Sequence, residues 1–180
     1  MNLTTRDMTE IAVLTALISV TSWISIPIGD IPITIQTLVV MLIGLFLSPK
    51  NSFLSILAYI IIGAMGLPVF AGGKGGLGII LGPTGGFLIS FIFAVIFISK
   101  MKNEKIINNE IVRIVIVLLL ANIIIYMFGW TYFAVYNGLN ISRILAIIWP
   151  FAIGDLFKIV VATYVYLNMR SHVTYERVQI

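Results

Sequence analysis

Two charged residues, Asp155 and Lys158, lie in an otherwise apolar stretch near the end of the chain. Their i, i+3 spacing places both on one face of a helix, close enough to pair. A charge near the centre of a membrane span costs about 2.5–3.5 kcal/mol on insertion scales, and intramembrane ionisable residues are commonly functional. The favoured interpretation is a polar anchor for a ligand; the alternative is an ion pair that only orients the helix.

Two weaker signals lie nearer the N-terminus. Gln36 is a polar residue early in a second apolar run, where it could bond a neighbouring helix or contact a ligand. Ala12 and Ala16 are four residues apart in the first run. This small-xxx-small pattern is typical of a helix face that another helix approaches closely.

Glycine is concentrated in one segment, because ten of the fifteen glycines lie in Gly63–Gly86. Glycine allows the main chain to approach a ligand closely, and irregular backbone at membrane depth requires burial or a cavity. A flexible connector is the alternative, but connectors are seldom as apolar as this segment, which includes Phe70 and Leu77. We therefore expect a lid over a pocket at the outer face.

The sequence contains stretches that look like enzymatic motifs, but none has the context or the residues that such a motif needs. Gly73–Gly78 matches G-x-G-x-x-G literally, but no soluble strand–turn–helix unit surrounds it, and Lys74 is followed by glycine and not by Ser or Thr. The chain has no cysteine and a single histidine, His172, which disfavours thiolate and histidine chemistry. No nucleophile–base pair occurs at membrane depth. The sequence thus predicts neither a nucleotide site nor a metal site, and no enzyme.

The elements that must position these residues are membrane helices. Sixty per cent of the 180 residues are hydrophobic and 10% are charged, and the mean hydropathy is +1.11. A soluble domain has about 45–50% apolar and about 25% charged residues. The solvent for most of the chain is therefore lipid, and the net charge of +4 does not indicate nucleic acid, because no basic face with aromatics occurs.

Six apolar runs predict an all-α integral membrane protein with six transmembrane helices. They are Ile11–Ile26, Ile33–Leu47, Phe53–Leu67, Gly85–Ser99, Ile111–Trp130 and Pro150–Met169. Only the first and last two approach the roughly 20 residues that a spanning helix needs. We further expect a short interfacial helix over Ser142–Trp149, and interfacial anchoring by the tryptophans at positions 23, 130 and 149.

The distribution of Lys and Arg orients the chain. If the N-terminus is cytoplasmic, eight of the eleven basic residues face inward, and only Lys74 and Arg143 lie outside. The positive-inside rule therefore places both termini in the cytoplasm. We see no internal repeat or soluble linker, so residues 1–180 are expected to form a single domain.

Three stretches together resemble the BioY family, the biotin-specific substrate-binding (S) components of energy-coupling factor transporters. They are IPIGDIPITIQT (Ile26–Thr37), GLPVFAGGKGGLGIILGPTGGFL (Gly66–Leu88) and GDLFK (Gly154–Lys158). They come from separate regions, and the family's six-helix plan covers the whole chain. The central stretch is the most specific of the three.

The resemblance implies a biotin site. Asp155 would accept ureido N–H groups and Lys158 would donate to the ureido carbonyl. Phe70 would contact the apolar rings, Gln36 would complete the polar set, and Lys74 or loop amides such as those of Gly72 and Gly73 would bind the carboxylate. No cofactor is implied.

The resemblance also implies partners. A transmembrane coupling subunit and two ATPase subunits would supply work, Ala12 and Ala16 would contact the coupling subunit, and the protein would lie in the cytoplasmic membrane of a prokaryote. The alternatives are an S component for a different vitamin and a small membrane protein that is not a transporter.

Overall fold

A computed structural model describes residues 3–27, 31–104 and 107–178. Within these residues six helices of 11 to 38 residues, one single-turn helix and a two-stranded ribbon follow one another along the chain. They are α1 (Thr5–Thr21), β1 (Ser25–Ile26), β2 (Ile33–Thr34), α2 (Gln36–Phe46), α3 (Pro49–Ala64), α4 (Leu77–Ile80), α5 (Gly85–Met101), α6 (Glu110–Asn137) and α7 (Ile141–Val178). The all-α plan with six helices expected from the hydropathy is confirmed.

Polar residues at the helix ends explain where several helices begin and stop. Thr4 and Asp7 form a capping box at the start of α1, and the Ser48 and Asn109 side chains cap α3 and α6. Such side chains satisfy backbone N–H groups that have no partner within the helix. Gly138 ends α6 in the left-handed conformation, at φ +63°.

The outer surfaces of the helices are apolar, as lipid requires. Residues 110–137 and 142–170 are each long and apolar enough to cross a membrane, by length and composition alone. Their outward side chains include Val135 and Phe157, which are 79% and 71% exposed. Helices α2, α3 and α5 are shorter apolar helices. Exposed apolar surface on this scale is expected of a protein that lies in a bilayer and not in water.

The last helix differs from the prediction. Residues 142–149 do not form a separate interfacial helix, because α7 runs without interruption from Ile141 through Pro150. Proline removes one backbone N–H, but neighbouring helices and local adjustments can satisfy the freed groups in a membrane protein. Asp155 and Lys158 therefore lie inside a long helix and not near its start.

Helix α5 is at the centre of the packing. It contacts α6 most extensively and also packs against α2 and α3. Val95 and Ile98 on α5, Ile43 on α2 and Leu118 on α6 are all completely or almost completely buried in this shared core. The side of the bundle that carries Gln36 and Asp155 is thus held by the same core as the opposite side, where α2 ends.

The side of the bundle at which α2 ends is closed by polar contacts between helices. The ammonium group of Lys102, 8% exposed, donates to the carbonyls of Gly44, Leu45 and Leu47 at 3.1, 2.7 and 2.6 Å. These carbonyls lie at the C-terminal end of α2, where a cation is favourable. Arg170 on α7 pairs with Glu110 at the start of α6.

Helix α1 is also attached to α3 at this side. The Asn51 amide donates to the Asp7 carboxylate at 2.6 Å. This hydrogen bond, together with those from Thr4, lowers the pKa of Asp7 to about 2; the residue precedes the apolar part of α1.

A short ribbon that hydropathy did not indicate joins the end of the first apolar run to the start of the second. Ser25 pairs with Thr34 and Ile26 with Ile33 in a short antiparallel ribbon. Asp30 lies outside the described residues. The ribbon ends directly before α2, so it fixes where Gln36 and Thr37 enter the bundle.

Candidate ligand-binding site

A cavity of about 190 Å³ lies where α2 begins, between the glycine-rich segment and helices α5, α6 and α7. Its walls are mostly aromatic and aliphatic side chains, among them Phe70, Phe87, Phe91, Trp130 and Phe151. One side is polar and contains Gln36, Thr37, Tyr126, Asp155 and Lys158. An apolar cavity with a few convergent polar groups is typical of a small-molecule site.

Asp155 and Lys158 form the ion pair that their spacing predicts. The Lys158 ammonium lies 2.7 Å from Asp155 Oδ1, and the two side chains are 13% and 5% exposed. Both residues line the cavity. A buried charge is tolerated only when it is paired and hydrogen-bonded, so the surroundings of this pair decide its role.

Two residues that the sequence analysis missed complete the surroundings of Asp155. The Thr37 hydroxyl donates to Asp155 Oδ1 at 2.8 Å and accepts from Lys158 Nζ at 2.8 Å. The Tyr126 hydroxyl donates to Asp155 Oδ2 at 2.7 Å. Helices α2, α6 and α7 are therefore joined at one carboxylate.

Sequence signals for these two residues exist but are weak. Thr37 directly follows Gln36, within one of the stretches that carry the family resemblance. Tyr126 precedes Trp130 by four residues, so both lie on one face of α6. Only the packing of α6 against α7 brings Tyr126 to Asp155.

Gln36 lies on the cavity wall and is 5% exposed. Its amide nitrogen donates to the Tyr59 hydroxyl at 2.5 Å, and its carbonyl oxygen accepts from Thr34 at 3.2 Å. The residue thus bonds a neighbouring helix, and its contact with a ligand stays a prediction.

The glycine-rich segment covers the cavity, as predicted. We call residues 66–84 the lid segment. Phe70 contributes a wall, is 1% exposed, and packs edge-to-face on Tyr59 with ring centroids 5.4 Å apart. The α3 glycine at position 63 makes room for it, because a Cβ there would lie 2.1 Å from the Phe70 ring.

The lid segment folds back on itself at the turn between Phe70 and Lys74. The Phe70 amide donates to the Lys74 carbonyl at 2.8 Å, and Gly72 and Gly73 adopt φ angles of +69° and +70° that favour glycine. Lys74 is exposed and lines the cavity, so its ammonium group is available at the mouth.

Gly72 and Gly73 are not among the residues on the cavity wall. The Gly72 amide donates to the Ser22 carbonyl at 3.1 Å and the Gly73 amide to the Phe70 carbonyl at 3.0 Å. Their amides are therefore used inside the fold, where both glycines form the turn, and a contact of these glycines with a ligand stays a prediction.

The end of α1 fastens the lid segment. The Ser22 hydroxyl donates to the Val69 carbonyl at 2.5 Å, and the Trp23 indole N–H donates to the Pro68 carbonyl at 2.7 Å. Ala12 and Ala16 lie on the exposed side of the same helix. The exposed side of α1 is therefore connected to the lid segment by hydrogen bonds at the end of the helix.

The position of Trp130 near the end of an apolar run predicts an anchor at the membrane interface, and this prediction is wrong. Trp130 is 3% exposed and lines the cavity, at the centre of an aromatic cluster. The rings of Phe87, Phe133 and Phe151 pack against it edge-to-face, with centroids 5.2–5.8 Å away. Trp23 and Trp149, by contrast, are 60% and 61% exposed.

The comparisons with known proteins agree with each other. A family model described as the BioY family matches residues 1–175. A probable biotin transporter BioY of Pyrococcus horikoshii is 42% identical over 153 residues, which is 85% of this chain and 89% of the relative. A biotin transporter BioY of Thermotoga maritima is 32% identical over 171 residues, 92% of this chain and 96% of the relative.

A solved structure has the same fold over nearly the whole length. It is the crystal structure of the S-component for biotin from an ECF-type ABC transporter, with a TM-score of 0.85 and 28% sequence identity. The match covers 94% of this chain and 95% of that one.

Proposed function

The chain belongs to the BioY family, and on that premise we propose that it binds biotin as the substrate-specific subunit of an energy-coupling factor transporter. It is a multi-pass membrane protein and a substrate-binding subunit, not an enzyme. ATP hydrolysis is supplied by other subunits.

The observation that carries the proposal is the buried Asp155–Lys158 pair on the wall of an otherwise apolar cavity. The pair offers a hydrogen-bond acceptor and a donor side by side while its net charge is zero. A ureido ring is neutral, donates through its N–H groups and accepts through its carbonyl. It therefore satisfies both partners, which a cationic or an anionic head group does not.

The remaining parts of biotin fit the other walls. The fused rings are apolar and suit the aromatic cluster around Trp130 and the Phe70 wall. The acid tail needs a cation or several N–H donors. Lys74, exposed at the cavity mouth, is the cation that the lid segment contributes. Gln36 adds a further polar group near the Asp155 side.

The partners and the location are part of the proposal. We assign a transmembrane coupling subunit and two ATPase subunits as partners, with Ala12 and Ala16 on the surface that meets the coupling subunit. Residues 1–180 act as one S-component domain in the cytoplasmic membrane of a prokaryote. Exposed small residues on α1 suit close helix contact.

Titration of the purified protein in detergent with radiolabelled biotin tests the proposal. We expect a dissociation constant in the nanomolar range, about −12 kcal/mol, displaced by unlabelled biotin but not by thiamin or lipoate. The pure subunit should hydrolyse no ATP. If labelled biotin does not bind but another labelled vitamin does, the substrate is that vitamin, and failure to bind any labelled vitamin would favour a membrane protein that is not a transporter.

A further inference from the structure

The hydrogen bonds around Asp155 do not use all the acceptor positions of its carboxylate. Each carboxylate oxygen can accept two hydrogen bonds. Oδ1 is saturated, since it accepts from Thr37 at 2.8 Å and from Lys158 at 2.7 Å. Oδ2 accepts from Tyr126 at 2.7 Å. Among the described residues, one acceptor position on Oδ2 is therefore unused.

Lys158 and Thr37 each have one unused position as well. The ammonium group carries three N–H donors, of which two bond Asp155 Oδ1 and Thr37 Oγ1. The Thr37 hydroxyl donates its hydrogen to Asp155 and accepts from Lys158, which leaves one of its two lone pairs. Within the described part of the chain, the network thus retains one donor and two acceptors, and all three residues line the cavity.

We propose that Thr37 is a ligand contact that accepts one of the two ureido N–H groups. Asp155 Oδ2 accepts the other, and Lys158 donates to the ureido carbonyl. This inference rests on the proposed function and names the second acceptor that the Asp155–Lys158 pair by itself does not provide.

The consequence for specificity is that the site forms hydrogen bonds with both N–H groups and with the carbonyl of a cyclic urea. Because the three positions are unused in the unliganded network, the ligand binds without breaking the bonds from Tyr126 to Asp155 or from Lys158 to Thr37. A ring that lacks either N–H leaves one buried acceptor without a partner, which lowers affinity.

The test combines variants of two threonines with two biotin analogues. Thr37→Val removes the hydroxyl and keeps the shape, Thr37→Ser keeps the hydroxyl, and Thr34→Val is the matched control on the same wall. In each analogue one ureido N–H is replaced by a methylene group, at either ring position. Dissociation constants are measured in detergent for every combination, with thermal melting as the check on folding.

We expect the wild type to lose about tenfold in affinity for each analogue. Thr37→Val should lose about tenfold for biotin and for one analogue, but less than threefold for the other, whose missing N–H is the one that Thr37 accepts. Thr37→Ser should show the same losses in affinity as the wild type. Thr34→Val should lose affinity by the same factor for both analogues.

Equal losses of Thr37→Val for biotin and both analogues would mean a purely structural role and would overturn the inference. If Thr37→Val fails to fold, the affinities of the wild type for the two analogues decide between the alternatives. A loss of affinity of less than twofold on removal of either N–H would exclude a second acceptor. Both results leave biotin binding by the wild type intact, whereas a wild type that does not bind biotin refutes the proposed function itself.

Discussion

The burial of Asp155 is tolerated because three side chains from three helices donate to it. Lys158 supplies the opposite charge, while Thr37 and Tyr126 add hydroxyl donors at 2.8 and 2.7 Å. A pair with such partners avoids most of the penalty that a lone buried charge incurs. At the scale of single residues, the site is therefore a network in which each change affects several bonds.

Replacement of Asp155 by asparagine tests the charge at constant shape. In the place of Oδ2 the new NH₂ group would face both a ureido N–H and the Tyr126 hydroxyl hydrogen, and in the place of Oδ1 it would face the donors of Thr37 and Lys158. In either orientation Lys158 loses its counter-charge. Hydrogen bonds to charged groups contribute about 1.5–3 kcal/mol, so biotin affinity should fall about ten- to a hundredfold. Lys158→Met should lower it to a similar extent, because it removes the donor to the ureido carbonyl and leaves Asp155 without its cation. Isothermal titration in detergent measures both.

The double variant separates pairing from independent contacts. Asp155→Asn with Lys158→Met should lower the affinity by less than the product of the two single factors, since neither residue then remains as a lone buried charge. Melting temperatures serve as the folding control. Single variants that fold and bind biotin like the wild type would show that the pair is structural and that the site lies elsewhere.

At the scale of elements, the lid segment is shaped by backbone contacts that tolerate no side chain. A Cβ at Gly75 would lie 2.2 Å from the Leu67 carbonyl oxygen. The same segment is fastened to α1 through Ser22 and Trp23. A methyl group at position 75 must therefore displace the backbone that covers the cavity.

Gly75→Ala should weaken biotin binding mainly through faster dissociation, with a loss of stability of about 1–3 kcal/mol, as for other overpacked sites. The matched control is Gly154→Ala, which adds the same methyl group within α7, where the new Cβ would lie in open space. Dissociation of labelled biotin and thermal melting are measured for both. Equal behaviour of the two variants would argue against a rigid lid.

At the scale of the whole molecule, the exposed residues differ in size from one helix to another. Most exposed apolar residues on α6 and α7 are large, for example Ile123, Val135 and Phe157 at 52%, 79% and 71% exposure. On α1 the exposed residues include the small pair Ala12 and Ala16. Small residues let another backbone approach, whereas large ones suit fluid lipid.

Ala16→Trp should therefore leave biotin binding unchanged and prevent assembly with the coupling subunit, and Ala12→Trp should act in the same way. Ile123→Trp places the same bulk on an exposed face of α6 and is expected to assemble normally. Co-purification with the coupling and ATPase subunits measures assembly, and uptake of labelled biotin by cells measures transport. Normal uptake by an Ala16→Trp protein that inserts correctly would refute the interface assignment.

Much of the fold could be predicted because lipid imposes strict requirements on a chain. Apolar runs must become helices, and the basic residues orient them, so the helix plan and the topology follow from composition and order. The Asp155–Lys158 pairing follows from local helix geometry as well. The continuity of α7 through Pro150 could not be predicted, because it depends on how neighbouring helices satisfy the freed backbone groups.

The site itself was predictable only in part. The sequence by itself determined that the protein is a six-helix membrane protein with a charged pair at membrane depth and a glycine-rich cover, since each of these depends on neighbours close along the chain. Only the tertiary structure decided that Thr37 and Tyr126 meet at Asp155, 118 and 29 residues away along the chain. It also decided that Trp130 lines the cavity and that the Gly72 and Gly73 amides bond within the fold. Contacts between distant segments depend on the relative rotation and depth of whole helices, and side-chain packing sets these quantities only once all the helices are assembled.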